Sequence, residues 1–220
     1  MGRSGPGQPE ATMPAARESL LDAAYTALAR RPWAGVRMVD VAAVAGVSRQ
    51  TLYNEFGSKD GLARALLRRE TDTYLRGVER ALAQARDPVD RLAAVSAWTI
   101  GAARDNVLVR AVLTGFWSER LPAPSRAAVS SSPVPAQRRA DAGVPSPGEL
   151  LTQVRDRAMA ALTERGRPSE TEELARACES AVRVALSYVV APAAREEDSA
   201  QLVRRVVVRS LGGPAPAGGR

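Results

Sequence analysis

Apolar side chains recur along most of this chain at spacings of three and four residues, the period of a helix with one face turned to a core. Between residues 15 and 31 they are Leu20, Leu21, Ala24, Tyr25 and Leu28, which predicts a first amphipathic helix that Pro32 ends. Short helices are expected at about 37–45 and from Ser48 to about Glu55. Ser58 opens a longer one. From Lys59 to Ala85 the residues Leu62, Leu66, Leu67, Tyr74, Leu75, Val78 and Leu82 keep the helical period, with no proline and one internal glycine, Gly77. That predicts a rod of roughly 40 Å at 1.5 Å per residue. Asp87-Pro88 reads as an N-cap followed by proline at the first helical position, so helices follow at about 88–103 and 106–118. Three more patterns run at about 148–165, 169–190 and 196–211, with Pro192 breaking the last two apart. No stretch worth defending alternates with a period of two, and the predicted fold class is all-α.

The interruptions are as informative as the helices. Residues 1–14 and 212–220 are rich in Gly and Pro and are expected to be disordered tails. Residues 121–147 are rich in Pro and Ser and predict a flexible loop. Histidine is absent from all 220 residues, which excludes histidine-based hydrolases and histidine-ligated metal centres. Neither a metal nor a cofactor is called for. The single cysteine, Cys178, has no partner for an intramolecular disulfide and fits a reducing cytoplasm. No apolar run reaches the length of a membrane span, and the N-terminal segment lacks the apolar core of a signal peptide. The expected location is therefore cytoplasmic, with no membrane partner.

The chain carries 31 basic against 24 acidic side chains, a net charge of +7. That excess suits a polyanionic partner, although an Arg-rich chain is as readily explained by the base composition of a genome. Every basic side chain is arginine except Lys59.

Residues 39–62, VDVAAVAGVSRQTLYNEFGSKDGL, concentrate the chemistry. Two short helices meet at Ala45-Gly46-Val47, where glycine permits a sharp stop, and Ser48 caps the second. Ala42, Val47, Leu52 and Phe56 are spaced for packing, while Arg49, Gln50, Thr51, Tyr53 and Asn54 have few apolar duties. A short polar helix starting at a tight turn is the geometry of a helix-turn-helix, whose second helix enters the DNA major groove. Two small helices with a solvated polar face would share this spacing.

The segment resembles the TetR family of bacterial transcriptional regulators: Val39-Asp40-Val41-Ala42, then Ala45-Gly46-Val47-Ser48, Thr51-Leu52-Tyr53, Phe56, Ser58-Lys59 and Leu62 follow its pattern. The resemblance implies a DNA-binding domain over residues 15–60 and a ligand-binding and dimerisation domain over 61–211. It puts Arg49, Gln50 and Thr51 at bases or the nearby backbone, and Tyr53 and Lys59 at phosphates. Ser48 and Asn54 complete the candidate DNA-binding set. Arginine can grip guanine bidentately and glutamine can pair with adenine. Two residues depart from the pattern: Met38 replaces a frequent threonine, and Glu55 stands where a carboxylate would repel phosphate unless it points away. Between residues 15 and 60 six basic side chains face five acidic ones, so arrangement on one face must supply what bulk charge does not.

For the second domain the resemblance implies a ligand pocket among the middle helices, with Tyr74, Trp98, Ile100, Phe116, Trp117, Met159 and Cys178 as candidate lining residues. Ordinary core packing is the competing reading of each. The broad apolar faces of the last two helices nominate Val182, Leu186, Val189, Val203, Val206 and Val207 for a two-fold homodimer interface, against burial within one subunit. The expected function is a repressor that binds a palindromic operator in double-stranded DNA and is released by a small apolar effector. Two other readings compete: a protein that coats DNA without sequence preference or responds to no ligand, and, remotely, an all-α hydrolase built on carboxylate pairs.

Overall fold

The computed structural model describes residues 13–123, 143–163, 168–192 and 196–210. Among them are nine α-helices and no strand, an all-α fold. They are α1 (Met13–Arg30), α2 (Met38–Val44), α3 (Arg49–Phe56), α4 (Lys59–Gln84), α5 (Pro88–Asp105), α6 (Val107–Thr114), α7 (Pro147–Leu162), α8 (Pro168–Val190) and α9 (Glu196–Ser210). Met13 and Pro14 of the expected N-terminal tail are the start of α1. The rest of that tail, the tail at 212–220 and the centre of the 121–147 loop lie outside the described residues.

The chain divides into two compact units, with the boundary inside α4 between Leu66 and Leu67. In the first, α1, α2, α3 and the opening turns of α4 enclose Leu20, Leu21, Val41, Leu52, Leu62 and Leu66, each at most 2% exposed. A short 3-10 turn, Trp33–Gly35, links α1 to α2 and was not foreseen in the sequence. Residues after Trp117 return to this unit, where the Trp33 N–H donates to the Arg120 carbonyl at 2.8 Å.

In the second unit α5 packs on α8 and α9, α7 packs on α8, and α6 packs on α5 and α7. Local signals set the helix ends. Asp87 accepts from the Val89 N–H at 2.8 Å, and Ser146 with Glu149 forms a reciprocal capping box at the start of α7. Helix α6 ends earlier than the pattern predicted because Gly115 takes a left-handed conformation, φ 72°. Arg91 reaches the Ala85 and Ala161 carbonyls at 2.8 Å each, tying the end of α4 to the end of α7.

Candidate functional site

Helix α3 is built to stand clear of the first unit on one side only. Gly46, at φ 69°, makes the turn. Ser48 then holds an extended backbone, and its Oγ accepts from the Thr51 N–H at 3.0 Å and pairs with the Thr51 hydroxyl at 2.8 Å. Leu52 is fully buried and Phe56 is 9% exposed, so both fasten the helix inward. On the other side Arg49, Gln50 and Asn54 are exposed, with Thr51 and Tyr53 half-buried beside them. Gln50 Nε2 donates to Asn54 Oδ1 at 2.8 Å, and the Arg49 guanidinium lies 5.3 Å from the centre of the Tyr53 ring. These exposed pairings contribute little and can be exchanged for base edges.

The carboxylate that threatened this face is turned away from it. Glu55 accepts from Arg17 Nη1 of α1 at 2.8 Å, and the same guanidinium lies 4.9 Å from the Phe56 ring centre. Met38 is buried and serves the core. At the start of α2, Asp40 accepts from Arg37 Nε and Nη2 at 3.0 Å each and from Arg31 Nη1 at 3.2 Å. The Arg37 hydrogen bond holds the Asp40 carboxyl below its usual range. The sequence shows Arg17, Arg31 and Arg37 only as part of the domain's charge and gives no sign of their partners.

Lys59 is more than a surface charge. Its ammonium donates to the Ala34 carbonyl at 2.9 Å and lies 5.6 Å from the Trp33 ring centre. Burial lowers its pKa, with Asp60 acting in the opposite sense. A compact ammonium keeps two further N–H donors after making this bond, which gives a physical reason for lysine at this position.

The second unit holds a cavity of ≈ 290 Å³ lined by Glu70, Thr73, Tyr74, Trp98, Asn106 and Val109 among others. Tyr74 is 1% exposed, shares a 3.0 Å hydrogen bond with the Thr99 hydroxyl, and has its pKa pushed up to about 12 by burial. Trp98 Nε1 donates to the Tyr74 carbonyl at 3.0 Å. Its indole lies so close to α4 that a Cβ on Gly77 would fall 2.1 Å from the ring. The Glu70 carboxylate is already engaged by Arg69 Nε at 3.0 Å and Asn106 Nδ2 at 2.7 Å, and Asp105 also lines the cavity beside its aromatic wall.

Of the pocket candidates, Tyr74 and Trp98 line this cavity, and Ile100 lines a neighbouring one. Phe116 is 85% exposed at the end of α6, and Trp117 falls in the first unit. Met159 and Cys178 meet at 4.0 Å and line neither cavity; burial raises the thiol pKa to about 12. Of the interface candidates, Val182, Val189, Val203 and Val207 are at most 5% exposed within this one chain. Leu186 and Val206 are half-buried, and the outer face of the last two helices instead carries Val190, Leu202 and Val208.

Comparison with known proteins finds two family matches, one near each end of the chain. A family described as bacterial regulatory proteins, tetR family, matches residues 20–66, and one described as bacterial tetracyclin repressor, C-terminal domain, matches residues 145–209, together just over half of the chain. The chain belongs to the TetR family of bacterial transcriptional regulators. This TetR-family chain is 44% identical over 73 residues to the transcriptional regulator AlkX of Mycobacterium tuberculosis, covering 33% of this chain and 35% of AlkX. It is 34% identical over 91 residues to BetI of Brucella canis, covering 41% of this chain and 46% of BetI. The matches thus span less than half the length of these curated relatives. Among solved structures, a TetR-family regulator from Mesorhizobium loti matches with a TM-score of 0.59 at 15% identity, over 92% of this chain and 98% of the other. The repressor AlkX from Dietzia matches with a TM-score of 0.50 at 21% identity, over 95% and 98%. At such identities these structures speak for the fold alone. Transcriptional regulation is not an enzymatic activity, and among the described residues no helix is long and apolar enough to cross a membrane.

Proposed function

We propose that this TetR-family regulator is a repressor that binds a palindromic operator as a two-fold homodimer and leaves it when a small apolar ligand occupies the cavity lined by Tyr74 and Trp98. The observation that carries the reading is the face of α3: exposed Arg49, Gln50 and Asn54 on a capped helix whose opposite side is buried through Leu52 and Phe56. Arg49 and Gln50 read base edges and Thr51 the edge or nearby backbone, while Ser48, Tyr53, Asn54 and Lys59 set register. Lys59 offers its remaining N–H donors to a phosphate while holding the Trp33 turn.

The dimer forms through the outer apolar face of α8 and α9, where Val190 is 65% exposed and Leu202 and Val208 are 40% and 45% exposed. The buried valines beneath them keep that face stiff. Ligand response runs through α4, one continuous helix of 26 residues whose Gly77 is keyed to the Trp98 ring. A ligand that displaces Trp98 moves the helix on which Lys59 sits. Half-sites at a fixed spacing then fit only one of the two states.

Footprinting on genomic fragments tests the reading. A protected inverted repeat, lost on adding an apolar ligand that quenches Trp98, is the expected outcome. Uniform protection without a preferred site would instead support sequence-independent coating.

A further inference from the structure

A helical turn leaves its first N–H groups and its last carbonyls without partners of its own. In the Trp33–Gly35 turn both ends are served from elsewhere in the chain. The Trp33 N–H donates to the Arg120 carbonyl at 2.8 Å, and the Ala34 carbonyl accepts from the Lys59 ammonium at 2.9 Å. Trp33 joins the two ends, since its ring, buried at 8% exposure, lies 5.6 Å from the same ammonium. The Arg120 carbonyl is set in turn by a reverse turn over residues 118–121, closed by the Leu121 N–H donating to the Ser118 carbonyl at 2.9 Å. These residues follow α6 of the second unit in chain order and yet belong to the first. Pro122, directly after them, is buried.

We infer that the turn at residues 118–121 is a positioning element for DNA binding: through Trp33 and the Ala34 carbonyl it fixes where the Lys59 ammonium meets a phosphate. The inference rests on the reading of Lys59 as a phosphate contact. Lysine carries its charge on a flexible four-carbon stem, and a 3-10 turn of three residues has little stiffness of its own. An ammonium bonded to the carbonyl of a loose turn travels with that turn. Contacts to phosphate set the register in which other side chains reach base edges, so the height of Lys59 beside α3 matters to Arg49 and Gln50 as well. The Arg120 carbonyl anchors the far end of the Trp33–Gly35 turn and thereby holds the lysine in place. On this account the DNA-binding unit is incomplete at the end of its α1 to α4 segment and draws one brace from beyond α6.

Lys59 is the only lysine of the chain, so selective lysine labelling follows its ammonium alone by NMR in the full chain. Leu121→Pro removes the N–H that closes the 118–121 turn and disfavours the turn conformation at Arg120. In this variant amide exchange at Trp33 should quicken. The Lys59 titration, lowered by burial in the native chain, should move up toward the ordinary lysine value. Salt dependence of binding to duplex DNA of mixed sequence then reads the phosphate contact, which needs no particular sequence. Leu121→Pro and Lys59→Gln should each lower the slope of log affinity against log salt by about 0.9 per subunit, and the two together by no more than either alone. A Trp33 amide or a Lys59 titration unchanged by Leu121→Pro overturns the inference. Additive slope losses in the double variant also overturn it, because the turn would then act elsewhere. If Lys59→Gln leaves the slope as it was, the phosphate reading of Lys59 fails and takes the inference with it. A slope lowered by Lys59→Gln but not by Leu121→Pro overturns the inference alone. Glu119→Gly/Arg120→Gly loosens the same turn without changing the net charge, and it gives the same readings should thermal unfolding show that Leu121→Pro does not fold.

Discussion

Helices α3 and α5 carry the two faces proposed to bind DNA and ligand, and they prepare them in opposite ways. On α3 the face is made of side chains that are present: Arg49, Gln50 and Asn54 project from a helix fastened by Leu52 and Phe56. On α5 the face is made of volume that is absent. Ala97 and Gly101 leave space on two sides, and the polar groups of Ser96 and Thr99 bond back to Leu92 and Val95 of their own helix. A surface that reads DNA needs donors and acceptors held at a fixed height, whereas a surface that holds a ligand needs room and a few groups at its margin.

Removing the fastening of α3 should have the largest effect. Leu52→Ala empties a fully buried site and is expected to cost about 2–5 kcal/mol. Hydrogen exchange resolved along the chain should place that loss in the first unit; a loss confined to the second would break the contrast. Next comes the wall of the proposed ligand face. Gly77→Ala forces the Trp98 ring from its seat and is expected to cost about 1–3 kcal/mol, with a shift in Trp98 emission. Unchanged emission would mean that α4 and Trp98 are not keyed together. Ser48→Ala removes the α3 cap and should cost about 1 kcal/mol, read in urea unfolding. Gly101→Ala has open space to enter and should stabilise α5 by about 0.5–1 kcal/mol. A destabilising Gly101→Ala would show that the space is not free.

The two units also part at alkaline pH. Tyr74 and Cys178 of the second unit have pKa values raised by burial to about 12, from ordinary values of 10.0 and 9.0. Their contribution is fully present below those ordinary values and is lost as pH rises through about 12. At acid pH both units weaken. Asp40 in the first, held down by Arg37, and Glu149 in the second, held down by Ser146, contribute above the ordinary carboxylate value and lose that contribution as pH falls. Amide exchange across the pH range should therefore show alkaline opening in the second unit alone.

The same contrast governs how much was legible beforehand. Gly46, Ser48 and the spacing of Leu52 and Phe56 announce α3, because turn, cap and buried face each demand a particular residue type. Lys59 was legible as an oddity but not as a brace, since its acceptor is a backbone carbonyl 25 residues away. The same distance hid Arg17, which reaches Glu55 across 38 residues. In the second unit Tyr74 and Trp98, singled out for their bulk, line a cavity, while Phe116 lies exposed, because an aromatic at a helix end carries no mark of exposure. The outward turn of Val190, Leu202 and Val208 was equally hidden, since α8 and α9 have apolar residues on more than one side and periodicity does not say which side another element covers. Gly77 looked like a weak point in a helix; the close approach of Trp98 gives it a role.

Arg49→Ala, titrated against the mapped operator and against variants of each base pair, tests the central claim most directly. The account predicts a loss of about 1–3 kcal/mol on the cognate operator and relaxed preference at one base pair in each half-site. An equal loss on every sequence would contradict it, because Arg49 would then be one more contact to the DNA backbone.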